Sequence, residues 1–344
     1  MKIRYCCPEC FGDRGLRKSI IPALGPKRGV CSFCGSSDVD LIVPTLLGPY
    51  FELVVNSYEL SSDGKSLAEL LKEDWLLFGH PKMDIAHAKE LLGEILDDGD
   101  IVRRPFKPSS TYSSSGLMEW ETLRDEMMYR NRWFLDINID TFRLRQLLDL
   151  LLAEELPSEW FRARIRTGDQ NYSVDQMGAP PKRLASHGRA NPAGIPYLYL
   201  ASKPETAAAE IRPHTGELAC VASFTIPSIR AVDLRNPRNF VSPFILTDAD
   251  EIGQLRADLP LLERLGDELT RPILPQGAAI DYIPSQYLCE FIKKSGFDGV
   301  VYRSSVSEGI NLALFRPGVA TVRGVSLYNV ERVSVEVVQQ RSLP

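Results

Sequence analysis

Two pairs of cysteines near the start of the chain constrain its fold more than any other feature of the sequence. Cys7 and Cys10 form one C-x2-C pair and Cys31 and Cys34 form another, with 20 residues between the pairs. This spacing matches the C-x2-C-x15–20-C-x2-C pattern of zinc ribbons. Four thiolates at about 2.3 Å complete a tetrahedron around Zn²⁺ and leave no open position, so such a site is structural. We therefore predict a small zinc ribbon over residues 1–42, with these four cysteines as ligands.

The remaining cysteines and two glycines agree with a metal site at this end of the chain. Five of the seven cysteines fall within the first 34 residues, and seven are too few for a disulfide scaffold in a chain this long. Cys6 is an alternative ligand to its neighbour, but its spacing within the first pair would be one residue too long. Gly12 and Gly35 follow the two pairs and suit tight turns. Cys220 and Cys289 lie in apolar segments and are expected in the core.

Length and composition are those of a globular chain with more than one domain. The 344 residues correspond to about two to three domains of common size, and 44% hydrophobic with 25% charged residues permits a sizeable core. The net charge of −5 offers no basic field for a polyphosphate, so nucleic-acid binding is not expected. No apolar run reaches the ~18 residues of a membrane span, and the first residues lead into the cysteine pairs instead of a signal peptide. We predict a cytoplasmic protein that does not contact a membrane.

The middle zone, residues 43–157, is predicted to be a helical domain. Ser66 and Glu69 fit a capping box at the start of one helix. A stripe of apolar residues at 85–96 repeats with helical spacing. Further helices are expected at 119–131 and 140–155.

The third zone, residues 158–344, alternates strand and helix patterns, so the predicted fold class of the whole chain is α+β. Strands are predicted at 160–166, 196–201, 219–226, 299–302 and 333–338, and helices at 203–211 and 285–295. In the first strand Arg162, Arg164 and Arg166 alternate along the chain and therefore project from one face. Three neighbouring cations suit an anionic ligand. The alternative is an exposed edge strand that charge protects from pairing.

The third zone resembles the RES domain family, which is named for its Arg, Glu and Ser residues. The residues that carry the resemblance are, in order, an arginine on the first strand, Gly188-Arg189-Ala190-Asn191, the strand with Tyr199, the helix with Glu210, His214 one turn later, and Gly299 to Ser304. The resemblance covers about residues 158–340, and many family members have an aromatic residue at the position of Ala190. It implies a C-terminal domain with an ADP-ribosyltransferase-like fold. The middle zone is similar to the HEPN-related helical domain that accompanies some RES proteins; it lacks the R-x4–6-H pairing of HEPN ribonucleases and is expected to be non-catalytic.

The resemblance implies that the substrate is NAD⁺ and that its nicotinamide–ribose bond is cleaved by glycohydrolysis, phosphorolysis or ADP-ribosyl transfer. The leaving group is already a cation, so the protein must supply a carboxylate and a grip on the ribose. Glu210 is the implied carboxylate and Tyr199 the ring that stacks on nicotinamide. His214, four residues after Glu210, is expected on the same helical face, where it would orient Glu210 or contact the substrate. Ser304 would hold the nicotinamide amide or the ribose, with Ser305 as an alternative.

The resemblance also implies binding residues and partners. Arg189 would grip a phosphate beside Asn191, and Arg164 or Arg162 would supply a second cationic contact, since both lie on one face of the strand. Family members are typically toxins held by an antitoxin that covers the active site, so growth arrest by NAD⁺ loss and an antitoxin partner are expected. Formation of a homo-oligomer is a further possibility that the sequence does not decide.

A hypothesis of another class is a nucleotide-binding sensor that uses the zinc ribbon for recognition and does not turn its ligand over. Because no G-x-G-x-x-G follows a strand, redox use of NAD in a dinucleotide fold is not supported.

Overall fold

The computed structural model describes residues 3–274, 276–334 and 337, and it has a mixed α+β architecture, as predicted. The chain forms two compact units. Unit 1 comprises residues 1–125, 135–151 and 236–264, and unit 2 comprises residues 126–134, 152–235 and 265–344. The finer division at residues 42 and 157 stays a prediction.

The helices are α1 (Pro8–Phe11), α2 (Ile21–Ala23), α3 (Gly48–Val55), α4 (Leu67–Trp75), α5 (Ile85–Ile95), α6 (Gly116–Tyr129), α7 (Thr141–Asp149), α8 (Pro204–Glu210), α9 (Pro237–Phe240), α10 (Ala249–Thr270), α11 (Ala278–Asp281) and α12 (Ile283–Lys294). The strands are β1 (Lys27–Gly29), β2 (Val39–Leu41), β3 (Tyr58–Ser66), β4 (Pro105–Pro108), β5 (Trp160–Ile165), β6 (Leu198–Ala201), β7 (Leu218–Thr225), β8 (Ala231–Asp233), β9 (Gly299–Arg303), β10 (Ile310–Leu314) and β11 (Thr321–Asn329).

Unit 1 combines helices with two small antiparallel sheets, β1 with β2 and β3 with β4. The predicted capping box is confirmed at the start of α4, where the backbone N–H of Ser66 donates to Glu69 at 2.9 Å. The predicted stripe at 85–96 forms α5, which begins after Asp84 as its N-cap. Its apolar face is buried, because residues three and four apart lie on one side of a helix. The buried residues are Ala88, Leu91, Leu92 and Ile95.

The predicted helix at 140–155 is shorter in the structure. It forms α7, which ends at Asp149. The chain after it is extended in unit 2, where Leu152 forms a β-bridge with Val232 and the Ala153 N–H donates to the Ala231 carbonyl at 2.9 Å. Backbone pairing with β8 therefore replaces the last turns of the predicted helix.

Unit 2 is built on a seven-stranded sheet in the order β11-β7-β5-β6-β10-β9-β8. The pair β8 and β9 is parallel, and the other neighbouring strands of this sheet are antiparallel. Successive residues of β5 point to opposite faces, so Trp160 packs in one apolar cluster and Phe161 against another. The alternative interpretation, in which this segment is an exposed edge strand, is wrong, since β5 lies between β7 and β6. The strand predicted at 333–338 lies largely outside the described residues.

Among the described residues, no helix is both long and apolar enough to cross a membrane.

Candidate active site

A cavity of about 530 Å³ opens in unit 2 where strands β5 and β6 separate. The two strands pair at Phe161 and Ala201. If the antiparallel register continued, Ala163 would lie opposite Tyr199, but both residues line the cavity instead. Helix α8 follows β6 directly and contributes Ala207 and Glu210 to the wall. The small side chain of Ala207 leaves room beside the carboxylate.

Glu210 is the last residue of α8, and its carboxylate is held at the cavity wall by two side chains from distant parts of the chain. The Ser304 hydroxyl donates to Oε1 at 2.7 Å, and the Asn311 amide Nδ2 donates to the same oxygen at 2.6 Å. Ser304 follows β9 and Asn311 lies in β10. The structure thus brings together Glu210 and Ser304, which were both predicted, and adds Asn311. Ser305, the alternative to Ser304, lines the cavity.

Tyr199 and Asn191 fix the loop that precedes β6. The Tyr199 hydroxyl donates to Asn191 Oδ1 at 2.7 Å and accepts from the Ala190 N–H at 2.9 Å. Asn191 is buried, and its amide donates to the carbonyls of Ser186 and Pro192. Burial raises the pKa of the Tyr199 hydroxyl, so it remains a donor at neutral pH. Asn191 therefore holds the loop, while the Tyr199 ring lines the cavity.

Gly188 is required at its position by close approach and not by backbone conformation. A Cβ atom there would lie 2.6 Å from Asn191 Oδ1 and 2.7 Å from the Tyr199 hydroxyl. Both distances are too short for a carbon atom, so any larger residue would displace the pair. The side chain of Ala190 is fully buried.

Arg189 lines the cavity and is held by the segment that contains α11. Its Nη1 donates to the Arg271 carbonyl at 2.8 Å, and its guanidinium lies 5.5 Å from the centre of the Tyr282 ring. The Ser285 hydroxyl donates to the Arg189 carbonyl at 2.6 Å. These contacts are with neutral groups, so they leave the positive charge available for an anion.

The two candidate arginines of β5 have different surroundings. Arg162 lines the cavity and donates to the carbonyls of Met177 and Gly178. Burial, together with the charge of Arg164, lowers the pKa of Arg162 to about 10, so it remains a cation at neutral pH. Arg164 donates to the Gln176 carbonyl at 2.6 Å and stacks on the Tyr172 ring at 4.1 Å. Arg162 is thus the better placed of the two to meet a ligand in the cavity.

The prediction that His214 shares a helical face with Glu210 is wrong. Helix α8 ends at Glu210, and Arg212 adopts a left-handed backbone with φ of 47°, which turns the chain away from the helix axis. His214 is exposed, and its backbone N–H donates to the Glu217 carboxylate at 2.7 Å. It does not line the cavity.

Several residues of the cavity wall escaped the sequence analysis, and Asn311 is the most informative of them. It is a polar residue in an apolar strand, and it is only 5% exposed. Asparagine is disfavoured in strands, so its place in the sequence Ile-Asn-Leu-Ala-Leu was a signal that could have been used. Other wall residues that were not predicted are His187, Arg212, Tyr282 and Tyr302.

The four cysteines predicted as metal ligands come together in unit 1. Their sulfur atoms all lie within 4.8 Å of one another, and all four residues are buried. Cys7 Sγ lies 3.9 Å from Cys10 Sγ and 3.5 Å from Cys34 Sγ, and Cys10 Sγ lies 3.4 Å from Cys31 Sγ. These separations approach the edges of about 3.8 Å that a tetrahedron with 2.3 Å metal–sulfur bonds has. The group can therefore hold a metal ion.

The backbone around the cysteine group agrees with two metal-binding turns. Gly12 and Gly35 have φ values of 72° and 73°, in the left-handed region that glycine adopts without strain. Cys6 lies outside the group and pairs through its backbone with Ile42. The Cys6 thiol donates to the Ile42 carbonyl at 3.7 Å.

Comparison with known proteins places the third zone in a family. Among curated proteins, no match was found. A chain in the crystal structure of the M. tuberculosis MbcT–MbcA toxin–antitoxin complex is similar, with 16% identity and a TM-score of 0.34; the match covers 54% of this chain and 92% of that one. The family model described as the RES domain matches residues 159–333, about half of the sequence. The chain therefore belongs to the RES domain family.

Proposed function

We propose that this protein cleaves NAD⁺ at the bond between nicotinamide and ribose. One observation carries the proposal: the Glu210 carboxylate stands at the wall of a cavity of about 530 Å³, with its Oε1 held by two donors. Arg162 and Arg189 line the same cavity. A carboxylate beside cationic side chains suits a substrate that has an anionic pyrophosphate and develops positive charge as it reacts.

The division of work among these residues follows from the charges of NAD⁺. Nicotinamide leaves as a neutral ring from a cationic one, so no general acid is required. The ribose becomes oxocarbenium-like, and Glu210 stabilises that positive charge and accepts hydrogen bonds from the ribose hydroxyls. The guanidinium groups of Arg189 and Arg162 bind the pyrophosphate, for which their planar donors are well suited. The Tyr199 ring stacks on nicotinamide.

The cysteine group is proposed to bind one structural zinc ion. Zn²⁺ would crosslink the two turns that contain Cys7, Cys10, Cys31 and Cys34, and four thiolates leave no coordination position for a substrate. The metal thereby stabilises the ribbon and has no role in NAD⁺ cleavage.

The family relationship supports a further part of the proposal. RES domains are expected to act as toxins, so we infer that loss of NAD⁺ in the cytoplasm arrests growth and that a protein antitoxin covers the cavity. Whether the acceptor of the ADP-ribosyl group is water, phosphate or a macromolecule decides between the glycohydrolase, phosphorylase and transferase activities.

The proposal is tested with the purified full-length chain and NAD⁺. Nicotinamide release is measured by liquid chromatography, and the ADP-ribosyl product is identified by mass spectrometry with and without phosphate. Glu210→Gln keeps the size of the side chain and removes its charge, so nicotinamide release should fall by about 10²–10³, the usual cost of removing one preorganised electrostatic group.

Glu205→Gln is the matched control for this experiment. Glu205 lies in the first turn of the same helix, is exposed and does not line the cavity, so the same substitution should leave the rate within about two-fold of wild type. If the wild-type protein releases no nicotinamide, or if Glu210→Gln is as active as Glu205→Gln, the proposed function is wrong.

A further inference from the structure

Asn311 is a buried polar residue in the middle of an apolar strand. In β10 it lies between Ile310 and Leu312, and its backbone is opposite Tyr302 on one side and Ala201 on the other. Taking an amide out of water costs free energy unless hydrogen bonds replace those lost. The side chain is 5% exposed, and its Nδ2 donates to Glu210 Oε1 at 2.6 Å. The contact with Glu210 is thus what offsets the burial of this amide.

The direction of the hydrogen bonds to Glu210 is fixed by chemistry. An ionised carboxylate can only accept, so the donor end of the Asn311 amide must face it. Ser304 is constrained as well, because the backbone N–H groups of Val306 and Ser307 donate to its Oγ at 3.2 Å and 3.1 Å. With both lone pairs of that oxygen occupied, its single proton is directed to Glu210. Glu210 Oε1 therefore receives two donors that have no alternative orientation.

The second carboxylate oxygen has a different environment. Within the described part of the chain, Glu210 Oε2 has no hydrogen-bond partner, and the side chain as a whole is exposed at the cavity wall. A glutamate has three rotatable side-chain bonds, so an exposed one without anchors would sample many positions. Two fixed donors on one oxygen leave the other in a defined place.

We propose that Asn311 is a positioning residue for Glu210. Together with Ser304 it holds Oε1, so that Oε2 faces the ribose of the substrate. This inference rests on the proposed NAD⁺ cleavage, and it assigns the Ser304 proton to Glu210 and not to nicotinamide. In this role Asn311 acts on the reaction through Glu210, whose carboxylate it orients.

The test compares Asn311→Leu and Asn311→Asp with wild type in steady-state NAD⁺ cleavage. Leucine has a similar volume and suits the apolar strand, while aspartate keeps the shape and replaces the donor by an acceptor. A misplacement of about 1 Å can cost about 10²-fold in rate, so kcat should fall by about 10- to 100-fold in both variants. KM should stay within about three-fold, because the pyrophosphate contacts are unchanged. Circular dichroism checks that the variants fold, and Asn311→Ala, which also lacks the donor, replaces either one that does not.

A double-mutant comparison separates positioning from a structural role. If Asn311 acts only through the Glu210 charge, then adding Asn311→Leu to Glu210→Gln should not lower kcat further by more than about two-fold. If Asn311 merely supported the fold, the losses in kcat of the two single variants would instead multiply in the double variant. Such a product, or a single Asn311→Leu variant with wild-type kcat, would overturn the inference.

An NMR measurement tests the hydrogen bond between Asn311 and Glu210 independently of turnover. In full-length protein with ¹⁵N-labelled asparagine, the side-chain NH₂ signal of Asn311 is the one lost in Asn311→Leu. In wild type this signal should lie downfield of the range usual for asparagine side chains, and in Glu210→Ala it should return to that range. A signal at the same position in wild type and Glu210→Ala would contradict the inference. If wild type shows this shift but releases no nicotinamide, the positioning contact stands and the proposed function fails.

Discussion

The substitution Tyr199→Phe isolates what the tyrosine hydroxyl does from what the ring does. The hydroxyl donates to Asn191 Oδ1 at 2.7 Å and accepts from the Ala190 N–H at 2.9 Å, and Asn191 is 4% exposed. Phenylalanine keeps the ring against the cavity and removes both hydrogen bonds. We expect the loop before β6 to open more often, while stacking on nicotinamide is retained.

The change in the free energy of local opening follows from the buried groups that lose their hydrogen bonds to the Tyr199 hydroxyl. Each hydrogen bond contributes about 0.5–1.5 kcal/mol net, and a buried group left without a partner costs about 1–3 kcal/mol. Water from the cavity can replace part of the loss, so we expect local opening to become easier by about 2 kcal/mol. That corresponds to about 30-fold faster hydrogen exchange at the Ala190 amide, since 1.4 kcal/mol is a factor of ten.

The assay is hydrogen–deuterium exchange of the loop at residues 185–194, with Tyr197→Phe as the matched control. Tyr197 lies two residues earlier and is 2% exposed, but its hydroxyl has no hydrogen-bond partner among the described residues. Its removal should therefore leave exchange at Ala190 unchanged. Equal exchange in Tyr199→Phe and wild type would refute the proposed role of the hydroxyl.

Three other predictions concern the cysteine group, the binding loop and unit 1. Protein purified without chelator should contain one zinc ion per chain by metal analysis. The Cys10→Ser variant should lose this zinc ion and the Cys6→Ser variant should keep it. Wild-type protein without zinc would contradict the proposed metal site. Arg189→Ala should raise KM for NAD⁺ more than it lowers kcat, because a pyrophosphate contact exists in the ground state and the transition state alike. Arg189→Lys should restore only part of the affinity. A normal KM with a lost kcat would place Arg189 at the ribose. In the capping box of α4, hydrogen bonds from Ser66 lower the pKa of Glu69, so the stability they give is present above the ordinary glutamate pKa and is lost as pH falls through the lowered value. Ser66→Ala should cost about 1 kcal/mol in chemical denaturation at neutral pH, and less in acid; a cost that does not change with pH would contradict this reasoning.

Some features of this protein are determined by residues close together in the sequence. A capping box spans four residues, and the cysteine pairs define their turns over the same distance, so Ser66 with Glu69 and the two turns followed by Gly12 and Gly35 could be predicted without a fold. The same is true of the alternation that places Arg162 and Arg164 on one face of β5, because it depends only on strand geometry.

Local reasoning failed where the chain changes direction. His214 is four residues after Glu210, but that spacing places two side chains on one face only while the helix continues, and α8 ends first. Helix α7 likewise ends early, since Leu152 finds a backbone partner in Val232. In both cases a turn or a distant segment decides where the helix ends, and the periodicity of the residues shows neither of them.

The site itself depends on the tertiary structure. Periodicity could not choose between Arg162 and Arg164, and only the separation of β5 from β6 places the first of them at the cavity. Asn311 is 101 residues from Glu210 in the sequence, and no local pattern links them. The sheet order, which sets β10 beside β6 and therefore near the end of α8, brings the amide to the carboxylate. The sequence by itself determined which residue types were present and how the capping box, the two cysteine turns and the alternation of β5 would direct them. The packing of distant strands decided which side chains meet, because contact energies between segments far apart in the chain act only once the sheet has formed.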